Sequence, residues 1–205
     1  MAARQLPMFP LGTVLFPHGL LPLHVFEPRY RSMMEHCLAD DSAFGVVLIE
    51  RGNEVGGNDQ RFDVGTLARI LQAARLDDGR YVLVTAGEHR VRVLRWLPDE
   101  PYPRAEVEPL ADRADADARD RVADVTRMLQ RSLALRTELG EPVAAAAVAL
   151  ADDPVRASFE ACSLAGLGPL DAQRLLELDD AGRRLADLEA QLREDVAVLE
   201  FRLRG

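Results

Sequence analysis

Short apolar runs with proline or glycine at their ends fill the first 110 residues of the chain. Short apolar runs bounded in this way predict strands, as does the alternation of apolar and polar side chains in the later runs, so this part is expected to form a sheet. We expect the strands at residues 13–16, 21–26, 44–50, 65–76, 80–87 and 89–96. Between the fourth and fifth of these, the sequence Asp77-Asp78-Gly79 predicts a tight β-hairpin turn.

One amphipathic helix interrupts the strands. Pro28 suits the first helical position, where a backbone N–H would have no intrahelical partner. The apolar residues that follow recur at helical spacing and form one face, made of Tyr30, Met33, Met34, Cys37 and Leu38. The prolines before this helix, Pro10 and Pro17 among them, are expected to end short strands and to keep strand edges from pairing with other molecules.

From residue 112 onward, the patterns are helical. The first helix is expected to end near Gly140, and its apolar face comprises Val122, Val125, Leu129 and Leu133. Further helices are predicted to begin at Pro142, at Asp153-Pro154 and at Asp171, which suits an N-cap. The last helix carries a continuous apolar stripe of Leu185, Leu188, Leu192, Val196, Leu199 and Leu203.

These patterns predict an α+β fold. We expect residues 1–111 to form a small, bent sheet or partly open barrel with one helix, and residues 112–205 to form a helical bundle. The 205 residues are enough for one large domain or two small ones, and 48% apolar and 29% charged residues are ordinary for a globular protein.

Composition and charge argue against several classes of protein. No apolar run approaches the roughly 20 residues that a membrane-spanning helix needs, so we expect no membrane association. Prolines break the N-terminal apolar stretch and no small-residue cleavage site follows, so we expect no signal peptide. Two cysteines do not form a disulfide framework, and the expected location is cytoplasmic. The net charge of −9 disfavours nucleic-acid binding.

Candidate catalytic residues are few. The sequence contains no lysine, so it can form neither a Ser–Lys peptidase dyad nor the lysine contact of a P-loop ATPase. Cys37 follows His36, but adjacent helical residues point about 100° apart, and Cys37 falls on the apolar face. Cys162 is also expected to be buried. The four histidines match no compact metal-ligand spacing, and the glycine-rich segment 51–59 lacks the spacing of a phosphate loop. We therefore predict no enzyme activity, no metal and no cofactor.

An arginine pair is the clearest polar candidate for binding. Arg90 and Arg92 fall on one face of the predicted strand 89–96, with two valines on the other face. Beside Trp96, the pair can stack on bases or hold a carboxylate, although such a face is more often simply solvated. Glu27, Arg29 and Tyr30 lie near the start of the helix and have two interpretations. They form either a local ion pair with an aromatic helix anchor, or part of a binding site.

Three blocks resemble the sequence pattern of the Lon protease N-terminal domain, also called the Lon substrate-binding domain. The first, FPLGTVLFPHGLLPLHVFEPRY at residues 9–30, carries the elements Phe-Pro-Leu, Leu-Phe-Pro, Leu-Pro-Leu, Phe-Glu and Arg-Tyr in the family's order. The second, residues 64–93, is similar to the family's Gly-Thr start, Asp-Gly turn and Arg-x-Arg strand. The third, residues 173–192, is similar to its helical tail. The resemblance implies a partly open β-barrel related to the pseudouridine-synthase-associated type, followed by a helical bundle.

The resemblance also implies a function. It points to the recognition part of a Lon protease, and we expect a stand-alone form that lacks the ATPase and peptidase modules. The leading hypothesis is a non-catalytic module that binds exposed apolar segments of unfolded or client proteins. The binding residues that we predict are Phe16, Pro17, Leu21, Pro22, Phe26, Glu27, Arg29, Tyr30, Arg90 and Arg92.

Three alternatives stay open at this point. An adaptor for one folded partner, such as a protease or chaperone, would show one contiguous apolar patch with a polar rim. Nucleic-acid binding would use Arg90, Arg92 and Trp96, against the negative net charge. A hidden enzyme would use Cys37 or a histidine. The sequence leaves the client and the oligomeric state open.

Overall fold

The computed structural model describes residues 3–51, 60–143 and 148–204. The chain divides into two compact units, Met1–Ala111 and Asp112–Gly205. Within the described residues, the first unit holds every strand and one helix, and the second holds four helices, so the predicted α+β fold class is confirmed. Most of the glycine-rich segment 51–59 lies outside the described residues.

The first unit is built on one mixed sheet. Its elements are β1 (Arg4–Leu11), β2 (Leu20–Val25), α1 (Pro28–Ala39), β3 (Ala43–Arg51), β4 (Gln60–Arg75), β5 (Tyr81–Leu97) and β6 (Arg104–Pro109). The strand order is β2-β5-β4-β3-β1-β6, and β6 also pairs with β5. This extra pairing joins β5, β4, β3, β1 and β6 into a ring, which is the predicted partly open barrel. β1 and β3 are parallel, and every other pair is antiparallel.

Two apolar clusters form the core of this unit. One draws on all five ring strands, with Met8, Leu67 and Val107 among its members, and therefore fills the ring. The other packs α1 against the sheet, and Tyr30, Met33, Met34 and Cys37 of the predicted helical face are buried in it, whereas Leu38 is exposed.

The strand prediction for residues 13–16 is wrong, because the strand is β1 and ends at Leu11. The expectation that prolines end strands also fails at Pro10, which lies inside β1. Met8 donates its backbone N–H to the Pro103 carbonyl, on the β6 side of the strand. Alternation points the backbone of Pro10 to that same side, where pairing with β6 stops at Pro7, so its missing N–H costs no ladder hydrogen bond.

The predicted β4–β5 hairpin is confirmed. Gly79 has φ +81°, a conformation that glycine adopts without the Cβ clash of other residues, and it donates its N–H to the Leu76 carbonyl at 2.9 Å. The two strands expected at residues 80–87 and 89–96 are one continuous strand, β5. β6 was not predicted from the sequence.

The second unit consists of α2 (Ala118–Glu138), α3 (Pro154–Leu164), α4 (Pro169–Glu177) and α5 (Ala181–Arg204). Asp153 caps α3 as expected, accepting the Arg156 N–H at 2.8 Å. The Asp171 prediction is wrong, because α4 begins earlier and Gly168 is its N-cap. The helix expected at Pro142 is absent from residues 142–143 and 148–150, and the residues between them lie outside the described chain.

The predicted helical faces are buried at their centres. Val125 and Leu129 of α2 are buried, and Val122 and Leu133 are half-buried. In α5 the buried members of the stripe are Leu185, Leu188, Leu192 and Leu199, whereas Val196 is half-buried and Leu203 is exposed. No helix of the described residues is long and apolar enough to span a membrane.

A buried arginine ties the segments of the second unit together. Arg184 of α5 is 0% exposed and donates to Ser158 Oγ at 2.7 Å, to the Leu175 carbonyl at 3.1 Å and to the Leu178 carbonyl. It also forms an ion pair with Asp112 at 2.9 Å. Its guanidinium lies 3.8 Å from the ring centroid of Phe159. A fully buried arginine is tolerated only when its donors are satisfied in this way.

Candidate binding surface

Two ring strands of the first unit, β4 and β5, continue beyond the ring and form a small sheet with β2, which we call the arm. It consists of β2, residues 81–86 of β5 and residues 72–75 of β4. β3 pairs with β4 only as far as Arg69, so the arm is separate from the ring pairing on that side. Its inner face packs on the α1 cluster through Val25, Tyr81 and Leu83.

The opposite side of the arm is apolar and exposed. Strand alternation turns Leu20, Pro22 and His24 outward on β2, opposite Ala86, Val84 and Val82 of β5. We call these six residues the outer face, together with Phe26, whose ring lies 6.3 Å from that of His24, and Leu71, at the β4 bulge next to the arm. Leu20 is 68% exposed, Leu71 54%, Phe26 53% and Val82 45%. Several large apolar side chains exposed on one face make it a candidate binding surface, whereas single exposed apolar residues need no explanation.

An ion pair lies at the hairpin-turn end of the outer face, where Arg80 contacts Asp78 at 2.7 Å. A second pair lies on the α1 side of the arm, where Arg75 contacts Glu35 at 3.5 Å. An apolar centre with a charged rim is the usual arrangement of a polypeptide-binding surface.

Several residues predicted to bind are instead part of the core. Phe16 and Pro17 are buried, and Tyr30 stacks on Phe9 with ring centroids 4.2 Å apart. Leu21 is half-buried and packs against the α1 cluster. These four side chains face inward, so they hold the fold in this conformation.

The residues around the start of α1 form a local pair. Arg29 Nε donates to Glu27 Oε2 at 3.1 Å, and its guanidinium lies 4.5 Å from the centroid of the Tyr30 ring. Both charged side chains are half-buried. This is the arrangement of an ion pair and helix anchor, one of the two readings of these residues.

Arg90 and Arg92 have different environments in the structure. Arg90 is fully buried and donates from Nη2 to the Ala111 carbonyl at 3.0 Å, so the expectation of a solvated Arg90 is wrong. Both faces of β5 are covered at this point. Thr66, which pairs with Arg90 from β4, is buried, and so is Val91, whose side chain points to the opposite face. Arg92 is exposed, at 4.0 Å from Glu108.

The structure therefore exposes Pro22, Phe26 and Arg92 among the ten predicted residues. The first two belong to the outer face, and Arg92 lies on β5 outside the arm. Sequence reasoning missed Leu20, Leu71 and Val82. The period-two pattern of LLPLHV contains the signal for the first, since it places Leu20, Pro22 and His24 on one side.

Thr66 and Gly87, which both belong to the second sequence block, hold the loop before β2 in place. Thr66 donates its hydroxyl to the Leu15 carbonyl at 2.5 Å. A Cβ at Gly87 would lie 2.3 Å from the Phe16 carbonyl oxygen, so only glycine allows this approach. These contacts fix the path of the chain into β2 and thereby position Leu20.

The chain's thiols are unsuited to nucleophilic chemistry. Burial raises the pKa of Cys37 to about 12, with a smaller contribution from Asp40, and burial also raises the pKa of Cys162 to about 12. Both are therefore neutral thiols at physiological pH, and a neutral thiol is a poor nucleophile.

A cavity of about 310 Å³ lies beside Cys37. Its polar lining is paired internally, since His36 Nδ1 and Tyr102 OH are 2.8 Å apart and Arg4 contacts Asp41 at 3.2 Å. Within the described part of the chain, no three His, Cys, Asp or Glu side chains are grouped so that they could hold a metal ion. The outer face is therefore the better candidate for function.

Comparison with known proteins gives matches to one protein family over most of the chain. The sequence model of the ATP-dependent protease La (LON) substrate-binding domain matches residues 5–193. Lon protease 2 of Herpetosiphon aurantiacus is 29% identical over 205 residues, which cover 96% of this chain and 24% of that protein. The Lon protease of Anaeromyxobacter dehalogenans is 33% identical over 114 residues, covering 55% of this chain and 14% of that protein. The chain thus spans about a quarter or less of the curated relatives it matches.

Solved structures agree with the fold. The crystal structure of a Lon N-terminal domain protein from Xanthomonas campestris superposes with a TM-score of 0.66 at 29% identity, covering 91% of this chain and 98% of that one. The N-terminal domain of the Mycobacterium avium complex Lon protease gives the same TM-score at 18% identity, which supports the fold alone.

Proposed function

The chain belongs to the family of ATP-dependent protease La (LON) substrate-binding domains, and from this premise we propose that it binds exposed apolar segments of polypeptides through the outer face of the arm. A role in substrate recognition follows from the family. The finer proposal names unfolded or partly unfolded clients as ligands, names the outer face as the site and assigns the chain no catalysis of its own. A cytoplasmic location is part of the same proposal.

The observation that supports the proposal is the apolar exposure of Leu20 and Val82 on the arm and of Phe26 and Leu71 directly beside it in the chain. From Leu20 to Phe26 the strand runs about 20 Å, and the three strands span about 10 Å. The face therefore offers roughly 200 Å², and a ligand would bury a similar apolar area of its own. At about 25 cal/mol per Å², the gross gain is about 10 kcal/mol.

The gross gain in free energy is close to the unfavourable free energy of association. Association costs roughly 4–15 kcal/mol, and an unfolded ligand must also lose conformational freedom. The affinity of one segment for one copy should therefore be micromolar or weaker. Clients that present several apolar segments to several copies should bind more tightly through effective concentration.

Fluorescence anisotropy of a labelled, permanently unfolded protein tests the proposal. Saturable binding at low and moderate salt is expected for the unaltered chain, and Leu20→Ser combined with Phe26→Ser should weaken it at least tenfold. Leu94→Ser is the matched control, because Leu94 is a similarly exposed leucine on β5 outside the arm. Equal loss in the control, or no binding by the unaltered chain, would refute the assignment.

One observation supports the adaptor for a folded partner as a second candidate. Val198 and Phe201 lie one turn apart on α5 and are both exposed, with Arg202 and Glu200 beside them. Loss of a captured folded partner on Phe201→Ser, with unfolded-protein binding unchanged, would favour this alternative. Retention of that partner by the variant would argue against it.

A further inference from the structure

An added strand could not form every backbone hydrogen bond along the free edge of β2. Gly87 donates its N–H to the Gly19 carbonyl at 2.9 Å, and the register continues as Leu21 opposite Thr85 and Leu23 opposite Leu83. Because backbone groups alternate in direction along an antiparallel strand, those of Leu20, Pro22 and His24 point away from β5. Pro22, in the middle of that edge, has no N–H to donate.

The other edge of the arm is interrupted as well. The β4–β5 register shifts between Ile70 and Gln72, which places a bulge at Leu71. Ile70 already donates its N–H to the Ser42 carbonyl at 2.8 Å, and Arg75 ends the strand in an ion pair with Glu35. Only four residues, 72–75, are left as edge. Bulges, prolines and short edges all oppose strand addition.

A ligand of the arm is therefore expected to lie on the outer face and not along an edge. On a face, the protein offers side chains but no backbone partners. An extended segment would leave the backbone groups that it buries without hydrogen bonds, whereas a helix satisfies its own. A helix of about 13 residues matches the length of about 20 Å, and its apolar stripe matches the width of the face.

The dimensions also exclude a second copy of this chain as the main occupant. A stable protein–protein interface buries about 800 Å² per partner. The outer face offers roughly a quarter of that area, on the strand spacings used above. It suits one short segment that binds transiently.

Building on the proposed function, we propose that the outer face binds amphipathic helical segments of its polypeptide ligands, three to four turns long. Pro22 and the bulge at Leu71 disfavour the addition of extended segments to the arm as strands. The module thus selects clients by apolar side chains on a helix and avoids the backbone pairing that would lead to aggregation with them.

Two labelled 12-residue peptides of one composition test this inference. In the first, Leu residues recur at helical spacing and an i,i+4 lactam bridge between a Lys and a Glu side chain fixes the helix. In the second, the same residues alternate apolar and polar and favour a strand. The helical peptide should bind the chain at least tenfold more tightly than the alternating peptide, and Leu20→Ser with Phe26→Ser should abolish the difference.

Pro22→Thr restores the missing edge donor. One unsatisfied hydrogen bond corresponds to about fivefold or more in affinity. The ratio of the two affinities should therefore shift toward the alternating peptide by about that factor. Pro98→Thr, an exposed proline outside the arm, should leave the ratio unchanged.

The outcomes separate this inference from the proposed function. If the alternating peptide binds as tightly as the helical one while binding still depends on Leu20 and Phe26, the helix inference is overturned and the proposed function stands. If neither peptide nor the unfolded protein binds, both are refuted. An unchanged ratio in Pro22→Thr would contradict the role given to this proline.

Discussion

Replacing the buried Arg184 with methionine should destabilise the second unit by about 3–5 kcal/mol. The substitution removes three hydrogen bonds to neutral acceptors and leaves the Asp112 carboxylate without its partner at 2.9 Å. Removal of one member of a buried ion pair costs about 3–5 kcal/mol. A unit of this size has a total stability of about 5–14 kcal/mol, so the change consumes a large share of it.

Urea unfolding followed by far-ultraviolet circular dichroism measures this effect. With an m-value of about 1.5 kcal/mol/M, the midpoint should fall by roughly 2–3 M. The single tryptophan, Trp96, lies in the first unit, so its fluorescence reports that unit separately. We expect the fluorescence midpoint to stay within about 0.3 M of the unaltered protein if the two units unfold independently.

Arg183→Met is the matched control, because Arg183 is the exposed neighbour of Arg184 on the same helix. Surface substitutions of this kind change stability by less than about 0.5 kcal/mol. If Arg184→Met shifts the midpoint no further than Arg183→Met does, the buried network contributes little and the reasoning from burial is wrong.

Three further predictions concern the first unit, the thiols and the domain boundary. Gly87→Ala should destabilise the first unit by about 2 kcal/mol or more, because the new Cβ meets the Phe16 carbonyl at 2.3 Å; an unchanged tryptophan-fluorescence midpoint in urea would contradict this. Cys37 and Cys162 should resist a thiol reagent in the native protein and react after unfolding. Since burial raises their folded pKa values to about 12 from 9.0, stability should be unaffected below pH 9 and should decline as the pH rises from 9 toward 12, which pH-dependent urea titrations measure. We also propose that residues 1–111 fold alone, with the same tryptophan emission maximum as the whole chain; an unfolded fragment would refute this boundary.

The sequence predicted the fold better than the strand positions. Short apolar runs located β2, β3 and β4, and the Asp-Gly pair located the hairpin turn; β3 gives a continuous apolar run because residues 43–48 are all buried. β1 was missed because two prolines inside RQLPMFPL argued against a strand. They are tolerated because β1 changes partners along its length, pairing with β6 first and with β3 afterwards, and this is a property of the ring that no local pattern carries.

The candidate site was predicted only in part. Family patterns combine residues that hold the fold with residues that contact ligands, and the motif of residues 9–30 includes both kinds. Phe16 and Tyr30 are core residues, whereas Phe26 is exposed. Leu71 and Val82 lie outside that motif. Val82 joins the outer face through its pairing opposite His24, and Leu71 lies at the β4 bulge; the sequence predicts neither the pairing nor the bulge.

Arg90 illustrates a second limit. An arginine that alternates with valines on a predicted strand is usually solvated, and the burial of Arg90 depends on the Ala111 carbonyl, 21 residues further along the chain. Its position next to Trp96 suggested recognition of bases. With Arg90 buried, the predicted nucleic-acid contacts lose one of their two arginines, which weakens that alternative.

The most direct test of the account is an NMR titration of the isotope-labelled chain with a permanently unfolded protein. The account predicts that amide and methyl signals shift for residues 20–26, 71–75 and 80–86, and that residues of the ring interior and of the second unit are unaffected. Shifts confined to the second unit, or absent under saturating ligand, would contradict the assignment of the outer face as the binding surface.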